Sequence, residues 1–403
     1  MALMPVADAQ ARVLAGVKPL PAERVPLASA NGRVLAADMA ARLTQPPFAA
    51  SAMDGYAVLG GDVATAPARL HLVGSIAAGD VPALTVGTGT AARIFTGAPL
   101  PPGADTVVPQ ENTEREGDVV VVTEPTPAGR HVRRAGLDFA VGDSVLAHGR
   151  RLDFRRMALL AAAGHAEVPV HRRPRIGILA TGSELVPAGA MPGPGRIVAS
   201  SGLGVAGLVA DAGGEPVDLG LAPDSEAAIE AALRRGLALG LDGLATLGGA
   251  SVGEHDLVQK ALERIGFALG FWKVAMRPGK PLIFGSVGGT RVLGLPGNPV
   301  SALVCGLLFL QPLVRTLAGR ADALPVESAA TLATALPANG DRQDYVRATL
   351  ADSHSGLPDA LPQPVQDSSM LAPLARADCL IVRPPHAPVA AAGSPCRIIR
   401  LER

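Results

Sequence analysis

Three segments between residues 246 and 302 bring acidic, basic and glycine-rich motifs close together in the chain. They read TLGGASVGEHD, FWKVAMRPGKPLIFG and RVLGLPGNPVSA. Each is a predicted strand that runs into a loop rich in glycine or proline. Loops at the carboxyl ends of parallel strands line the ligand crevice of open α/β sheets. The sequence therefore predicts a ligand site at one edge of such a sheet.

Three carboxylates in these loops are candidate ligands of a divalent metal. Glu184 follows the first predicted strand, Asp224 the second and Asp256 the third. Mg²⁺ binds one or two carboxylates and shares its coordination shell with water and substrate phosphates. Asp224 and Asp256 also each precede a predicted helix, and Asp256 has Gln259 three residues on, as in a capping box. Helix capping is therefore an equally good interpretation of either aspartate taken alone.

The glycine-rich loop after the third strand offers backbone N–H groups to an anion. Glycine lets the backbone approach a ligand closely, and helix N-termini attract phosphate. The alternative is a tight turn whose glycines adopt positive φ, but the neighbouring acids and bases favour binding. The predicted binding residues are Gly248, Gly249, Ser251 and Gly253.

Three cationic residues lie within the segment 271–284. In an extended strand Lys273 and Arg277 would share one face, and Lys280 would join them after the turn at 278–279. Such a cluster beside a glycine-rich loop predicts a polyanion site. An edge strand protected by charge is the alternative.

The segment LPGNP, which follows the last predicted strand, combines helix-start signals with a rigid backbone. Asn298 is placed as the N-cap and Pro299 as the first helical residue. Pro296 and Gly297 would form a wall of the crevice, and Ser301 offers a hydroxyl from the first turn. We predict that all five contact substrate.

Candidates outside this region carry weaker signals, because a turn or a solvated surface also explains each of them. Asp54 lies in an Asp-Gly turn, for example. The candidates are Asp54, Thr96 and Asp138 in the first part of the chain, and Arg342, Arg347 and Ser368 near its end.

The elements that must position these residues alternate between strand and helix from 175 to 319, which predicts a mostly parallel, doubly wound sheet. Short β-rich runs fill the region before it, and β structure returns after 321. The sequence predicts a multidomain chain of the α/β plus β class. Its divisions are a helical and extended linking domain (1–45 and 146–174), an inserted β-rich domain (46–145), an α/β domain (175–320) and a C-terminal β domain (321–403).

Composition limits the function classes. The 403 residues contain 36 Lys+Arg and 36 Asp+Glu, and only 3% are aromatic, so we expect no nucleic-acid partner. Three cysteines without a CxxC pair indicate a reduced, cytoplasmic protein. The longest apolar run, 301–310, is too short to span a membrane and is predicted to be a buried helix. No signal peptide, zinc spacing or P-loop is found.

Six motifs carry a family resemblance. SAMDGYA, FTGAPLPPGADTVV, ATGSEL, GGASVGEHD, KVAMRPGKP and LPGNPVSA occur in this order. Over nearly the whole chain the sequence resembles the molybdopterin molybdenumtransferase family. The resemblance implies an elongated homodimer of four-domain subunits, with a molybdopterin-binding α/β domain and a C-terminal β-barrel-like domain. The implied reaction converts adenylated molybdopterin and molybdate into molybdenum cofactor and AMP, with Mg²⁺ as cofactor.

The resemblance also implies roles for individual residues. The implied functional acids are Asp224, Asp256 and Glu184, and the implied phosphate or molybdate ligands are Lys273, Arg277 and Lys280. Pro296 and Pro299 would shape the pocket, and Asp54 and Thr96 would reach it from the partner subunit. The C-terminal side of the site would be lined by Arg342, Arg347 and Ser368. This chain departs from the family pattern at three positions. Arg277 stands where many relatives have Lys, Ser183 where Asp is common, and Leu137 where Glu precedes Asp138.

Two other functions are compatible with this resemblance. A non-catalytic molybdopterin-binding scaffold of the gephyrin E-domain type would tolerate loss of the acids, whereas this chain keeps them. The adenylyltransferase of the preceding step would lack the β-rich modules at both ends. A transient contact with that adenylyltransferase is a further expectation.

Overall fold

The computed structural model describes residues 3–248, 257–352 and 356–401. Within these ranges the chain builds three six-stranded sheets and four short two-stranded sheets. One sheet forms the α/β domain, one the inserted domain and one the C-terminal domain, which confirms the predicted fold class.

The α/β sheet carries the predicted strand ends at one edge. Its strands are, in spatial order, Glu215–Ala222, Arg175–Thr181, Gly243–Leu247, Thr290–Leu295, Ile283–Val287 and Phe267–Trp272. The first four are parallel, the fifth is antiparallel to them, and the sixth is antiparallel to the fifth. Five of the six strands therefore end at the same edge.

Helices cover both faces of this sheet. They span Ser201–Asp211, Glu226–Ala238, Leu257–Arg264 and Pro299–Cys305, and the last continues through a π turn at Gly306–Leu310 into Gln311–Leu317. One face packs a core around Leu293 and Phe309, and the other packs a core around Leu244 and Leu262. Because both faces are buried, Gly243–Leu247 is buried along its whole length.

The segment Pro299–Leu317 is long and apolar enough to cross a membrane, but 78% of it is buried inside the protein. Burial of this kind is typical of a core helix. The structure thus agrees with the predicted buried helix.

The inserted domain is a sheet with hydrophobic packing on both faces. Its strands are, in spatial order, Thr106–Pro109, Gly55–Val58, Thr90–Ile94, Ala68–Ile76, Val119–Val122 and Thr113–Glu116. Val58 and Val120 belong to the core on one face, and Ile76 and Ile94 belong to the core on the other. Short 3-10 helices occur at Gly60–Val63 and Gln110–Asn112, and a two-residue pair joins Ala50–Ser51 to Val132–Arg133.

The linking region is a small body of short elements. Ala22–Pro26 pairs with Glu167–His171, Met39–Ala40 pairs with Ser144–Leu146, a 3-10 helix spans Leu27–Ser29, and a helix spans Phe154–Ala162. Leu35, Leu152 and Leu160 form its core.

The first helix, Val6–Leu14, packs against the α/β domain. Its buried residues Val6, Ala9 and Val13 belong to the core of the α/β domain and not to that of the linking region. A nine-residue helix with so narrow an apolar stripe needs a larger surface to pack against. Residues 6–14 therefore belong with the α/β domain in packing, although the sequence division placed them in the linking domain.

The C-terminal domain is a closed barrel of five strands. In order around the barrel they are Gln343–Ala351, Asp359–Pro362, Glu327–Leu332, Pro395–Arg400 and Cys379–Arg383, and the last pairs with the first. A short helix spans Leu371–Ala375. The strand Met276–Arg277, from the α/β domain, pairs in parallel with Gln343–Ala351. This pairing joins the cation segment to the barrel.

Candidate active site

The loops after three neighbouring strands of the α/β sheet meet at its carboxyl edge. The N–H of Gly248 donates to the carbonyl of Leu295 at 3.3 Å. A Cβ added to Gly248 would lie 2.5 Å from the carbonyl oxygen of Thr181, and one added to Gly297 would lie 3.7 Å from the Cα of Gly248. Pro296 is buried beside them. The structure therefore brings these predicted site residues together, and the crowding at Gly248 favours glycine there.

Asp224 is tied to the neighbouring loop by a reciprocal pair of hydrogen bonds. Its Oδ2 accepts from the N–H of Ser183 at 2.9 Å, and its own N–H donates to the Ser183 Oγ at 2.9 Å. The helix Glu226–Ala238 takes Ser225 as its N-cap and has no side-chain cap. The capping interpretation is therefore wrong for Asp224, whose carboxylate orders the loop that carries Glu184.

Glu184 lies on the same loop with its carboxylate turned back along the chain. A Cβ added to Gly182 would lie 2.6 Å from Glu184 Oε2. The guanidinium of Arg196 donates to the carbonyl of Ser183 at 2.7 Å. Sequence reasoning missed Arg196. Its only signal is the tight-turn sequence Gly-Pro-Gly at 193–195, which returns the chain to this loop.

The donors at this edge fit a hard divalent cation. Asp224 and Glu184 are both exposed and offer carboxylate oxygens, the ligands Mg²⁺ prefers. Among the described residues no cluster of three or more His, Cys, Asp or Glu could hold a metal by itself. Mg²⁺ needs no such cluster, since it keeps waters and binds substrate phosphates. The other predicted residues Asp256, Gly249, Ser251 and Gly253 lie outside the described residues.

The cation segment does not run as one extended strand. The strand Phe267–Trp272 ends at Trp272, and Lys273 adopts a left-handed backbone with φ of 68°. The prediction that Lys273 and Arg277 share a strand face is therefore wrong. Since Phe267–Trp272 ends at the carboxyl edge, Lys273 nevertheless lies at the predicted edge, and Lys280 lies in the same connection to Ile283–Val287.

Arg277 faces the barrel, where it pairs in register with Asp344. A cavity of about 280 Å³ lies there, lined by Arg277, Asp344 and Arg383 among others. Burial raises the pKa of Asp344. The positive charges of Arg277, Arg342 and Arg383 lower it by a smaller amount. The predicted residues Arg277 and Arg342 thus both stabilise the charged form of the half-buried Asp344 carboxylate.

The barrel also caps the helix that begins at Pro299. Asn298 occupies the N-cap position, and Pro299 lies in the first turn, as predicted. The Asn298 side chain makes no cap hydrogen bond, however, and its Nδ2 donates to the Oγ of Ser368 at 2.9 Å. The N–H of Val300 donates to the carbonyl of Ser368 at 3.0 Å. The predicted residues Asn298 and Ser368 therefore form one contact between the two domains.

Arg347 supports this contact from inside the barrel. Its side chain is 1% exposed, and burial lowers the pKa of its guanidinium. Its Nε donates to Gln366 Oε1 at 3.1 Å, and its Nη1 donates to the carbonyl of Asp367 at 3.0 Å. These hydrogen bonds hold the loop that carries Ser368, so Arg347 supports that loop from the barrel interior. Ser301, only 5% exposed, is likewise packed within its helix.

Asp54 and Thr96 lie together on the exposed surface of the inserted domain. Asp54 Oδ1 accepts from the Thr96 N–H at 2.8 Å and from its Oγ1 at 2.7 Å. These hydrogen bonds, with a smaller effect of Arg93, lower the pKa of Asp54. Asp138 is exposed on a neighbouring loop, and its N–H donates to the carbonyl of Gln45. The structure thus joins Asp54 and Thr96, two of the predicted site residues, by hydrogen bonds.

Comparison with known families covers nearly the whole chain. Residues 4–164 match the MoeA N-terminal region (domains I and II). Residues 177–316 match a probable molybdopterin-binding domain, and residues 329–401 match the MoeA C-terminal region (domain IV).

Similar proteins agree with these matches. "Molybdopterin molybdenumtransferase 2" of Mycobacterium tuberculosis H37Rv is 39% identical, over 81% of this chain and 82% of that protein. The Haemophilus influenzae molybdopterin molybdenumtransferase is 35% identical, over 90% of each. A structure of the molybdopterin biosynthesis MoeA protein from Pyrococcus horikoshii superposes with a TM-score of 0.77 at 28% identity, over 99% of this chain and 100% of that one. The chain belongs to the molybdopterin molybdenumtransferase family.

Proposed function

We propose that this protein completes molybdenum cofactor biosynthesis by inserting molybdenum into the dithiolene of adenylated molybdopterin, with release of AMP. One observation carries the proposal. The carboxyl edge of the α/β sheet carries the Asp224–Ser183 pair, Glu184 and the glycine contacts of Gly248, and the strand that leads to the cation segment ends at the same edge. Proteins named molybdopterin molybdenumtransferase, at 35–39% identity, support it.

The residues at this edge suit a phosphorylated substrate. Lys273 and Lys280 are the cations that would hold the pyrophosphate linkage, and Arg277 beside the barrel cavity is the one that would receive molybdate. Asp224, Glu184 and Asp256 would hold Mg²⁺, which when bound neutralises charge on phosphate oxygens. Buried Pro296 and the turn at Gly297 limit how the substrate lies against the sheet.

The proposal includes a homodimer in which Asp54 and Thr96 act at the partner's sheet edge. In support, both residues are exposed, and among the described residues their side-chain hydrogen bonds stay within the inserted domain. Mixing an Asp54→Ala chain with an Asp224→Ala chain tests it. Heterodimers with one intact site should recover part of the activity, whereas no recovery would contradict a shared site.

Cytoplasmic location and a transient contact with the preceding adenylyltransferase complete the proposal. All three cysteines are free, which suits a reducing compartment. The non-catalytic scaffold is not favoured, because the similar proteins are named as transferases.

Release of AMP from adenylated molybdopterin tests the function. Purified protein should release AMP only with Mg²⁺ present, and molybdate should promote the release. Asp256→Ala should abolish release while the protein stays folded by circular dichroism. Tight substrate binding without release by the wild-type protein would contradict a transferase and favour a binding scaffold.

A further inference from the structure

Lys273 and Trp272 are neighbours in the chain, yet their side chains meet. The Lys273 Nζ lies 3.9 Å from the centroid of the Trp272 ring. Successive side chains of an extended strand point to opposite faces, so such neighbours normally do not touch. Here Lys273 has φ of 68°, a backbone conformation that is uncommon for residues other than glycine. The left-handed turn brings the ammonium over the indole, so the contact depends on a strained backbone.

The indole N–H of Trp272 destabilises the fold at this position. Its Nε1 is buried and finds no hydrogen-bond partner in the part of the chain that the structure describes. Buried tryptophan N–H groups usually have a partner, and an unpaired one destabilises the fold. Phenylalanine would fill the end of the strand without that cost. What indole offers beyond phenylalanine is the stronger attraction of its ring face for a cation.

The pair lies at the carboxyl end of the outermost strand of the sheet, where the proposed function assigns Lys273 to a phosphate. Trp272 pairs with Ile283 at the carboxyl edge of the sheet. Because of a register shift between Leu269 and Phe271, Trp272 shares a sheet face with Phe267, which packs in the core formed with the helix Leu257–Arg264. The ammonium is therefore held at the site edge, on the side of that helix.

We propose that Trp272 is a positioning residue for Lys273, whose ammonium it holds on its ring face ready to bind a phosphate of the nucleotide part of the substrate. The inference rests on the proposed function, because it assigns Lys273 to a phosphate. Tryptophan itself contacts no reacting atom. Its contribution is to remove the free rotation of a four-carbon side chain before the ligand arrives.

The test is a double-mutant cycle on the full chain, with AMP as the probe and its affinity measured by calorimetry. Trp272→Leu should weaken AMP binding about threefold to tenfold, the range that a single cation–π contact supports. Trp272→Phe keeps an aromatic face and should lose less. In the Lys273→Met background, Trp272→Leu should have almost no further effect. Lys260→Met, which removes an exposed lysine of the helix Leu257–Arg264, is the matched control and should bind like wild type.

Fluorescence gives a second readout, because Trp272 is the single tryptophan of the chain. AMP should change its emission in the wild type and in Lys260→Met, but not in Lys273→Met. An equal cost of Trp272→Leu with and without Lys273 would overturn the inference and leave the proposed function intact. If Trp272→Leu does not fold, Trp272→Phe takes its place in the double-mutant cycle with Lys273→Met. Failure of the wild-type chain to bind AMP at all would count against the proposed function.

Discussion

At the scale of single residues, the Ser183–Asp224 pair sets the position of a candidate metal ligand. Ser183→Ala removes the Oγ that accepts the Asp224 N–H, but keeps the N–H that binds its carboxylate. One such hydrogen bond contributes about 0.5–1.5 kcal/mol, so metal affinity should fall by roughly twofold to tenfold. Mn²⁺ titration followed by electron paramagnetic resonance measures this.

Two further variants separate this effect from general disturbance of the loop. Ser183→Thr keeps the hydroxyl and should restore affinity. Ser225→Ala changes a neighbouring serine whose side chain makes no cap hydrogen bond and should leave affinity unchanged. Unaltered affinity in Ser183→Ala would show that the pair does not position the metal ligand.

The Asp54–Thr96 pair predicts a pH dependence. Hydrogen bonds from Thr96 lower the folded-state pKa of Asp54 below its ordinary value of 3.8. The stability that they contribute is therefore present above that pH and is lost as the pH falls through the lowered pKa. Thr96→Val removes the hydroxyl donor but keeps the N–H, so the pKa of Asp54 should rise part of the way back.

Carboxyl carbon NMR, with the Asp54 signal followed through an acid titration, measures this pKa. Thr96→Ser retains both donors and serves as the control. A midpoint that does not move in Thr96→Val would mean that the hydroxyl bond is not formed in solution.

At the scale of elements, close approach of the strand ends shapes the site. Gly248 has φ of +96°, and a Cβ there would lie 2.5 Å from the carbonyl oxygen of Thr181. Gly248→Ala should therefore destabilise the protein by about 1–3 kcal/mol and displace the loop it begins. Gly297→Ala meets nothing closer than 3.7 Å and is the matched control. Urea denaturation compares them, and equal stability of the two variants would contradict this packing.

Local sequence predicted most of these elements, because their signals are local. The alternation predicted from 175 to 319 agrees with strands such as Arg175–Thr181 and Gly243–Leu247, since continuous apolar runs mark buried parallel strands. The path of the cation segment was not predictable in this way. The carbonyl of the left-handed Lys273 accepts from the N–H of Met4, and Met276–Arg277 pairs with the barrel, so this path depends on partners far away in the chain.

In the candidate site, too, sequence predicts some contacts and misses others. The meeting of Gly248 and Gly297 follows from parallel topology, and sequence predicts it. The bond between Asn298 and Ser368 joins residues 70 positions apart, so helix-start signals alone suggested a local cap instead. Arg347 is buried, although a solvated surface position also explained it, because the sequence does not show whether a charged residue is buried.

At the scale of the whole molecule, the barrel is held against the α/β domain through the loop that Arg347 supports. Arg347→Met should destabilise the protein by about 2–3 kcal/mol, because it removes charged hydrogen bonds from a buried position. Arg342→Met, at a partly exposed position, should change stability by no more than about 0.5 kcal/mol. Chemical denaturation of both variants is the measurement. A larger loss in Arg342→Met would reverse the roles assigned here.

The central claim is that one site both cleaves the adenylate and inserts the metal. Its most direct test measures AMP and molybdenum in the same single turnover of adenylated molybdopterin with Mg²⁺ and molybdate. The account predicts one molybdenum atom bound to molybdopterin for each AMP released, and neither product from Asp224→Asn. Release of AMP without molybdenum insertion, or full turnover by Asp224→Asn, would contradict it.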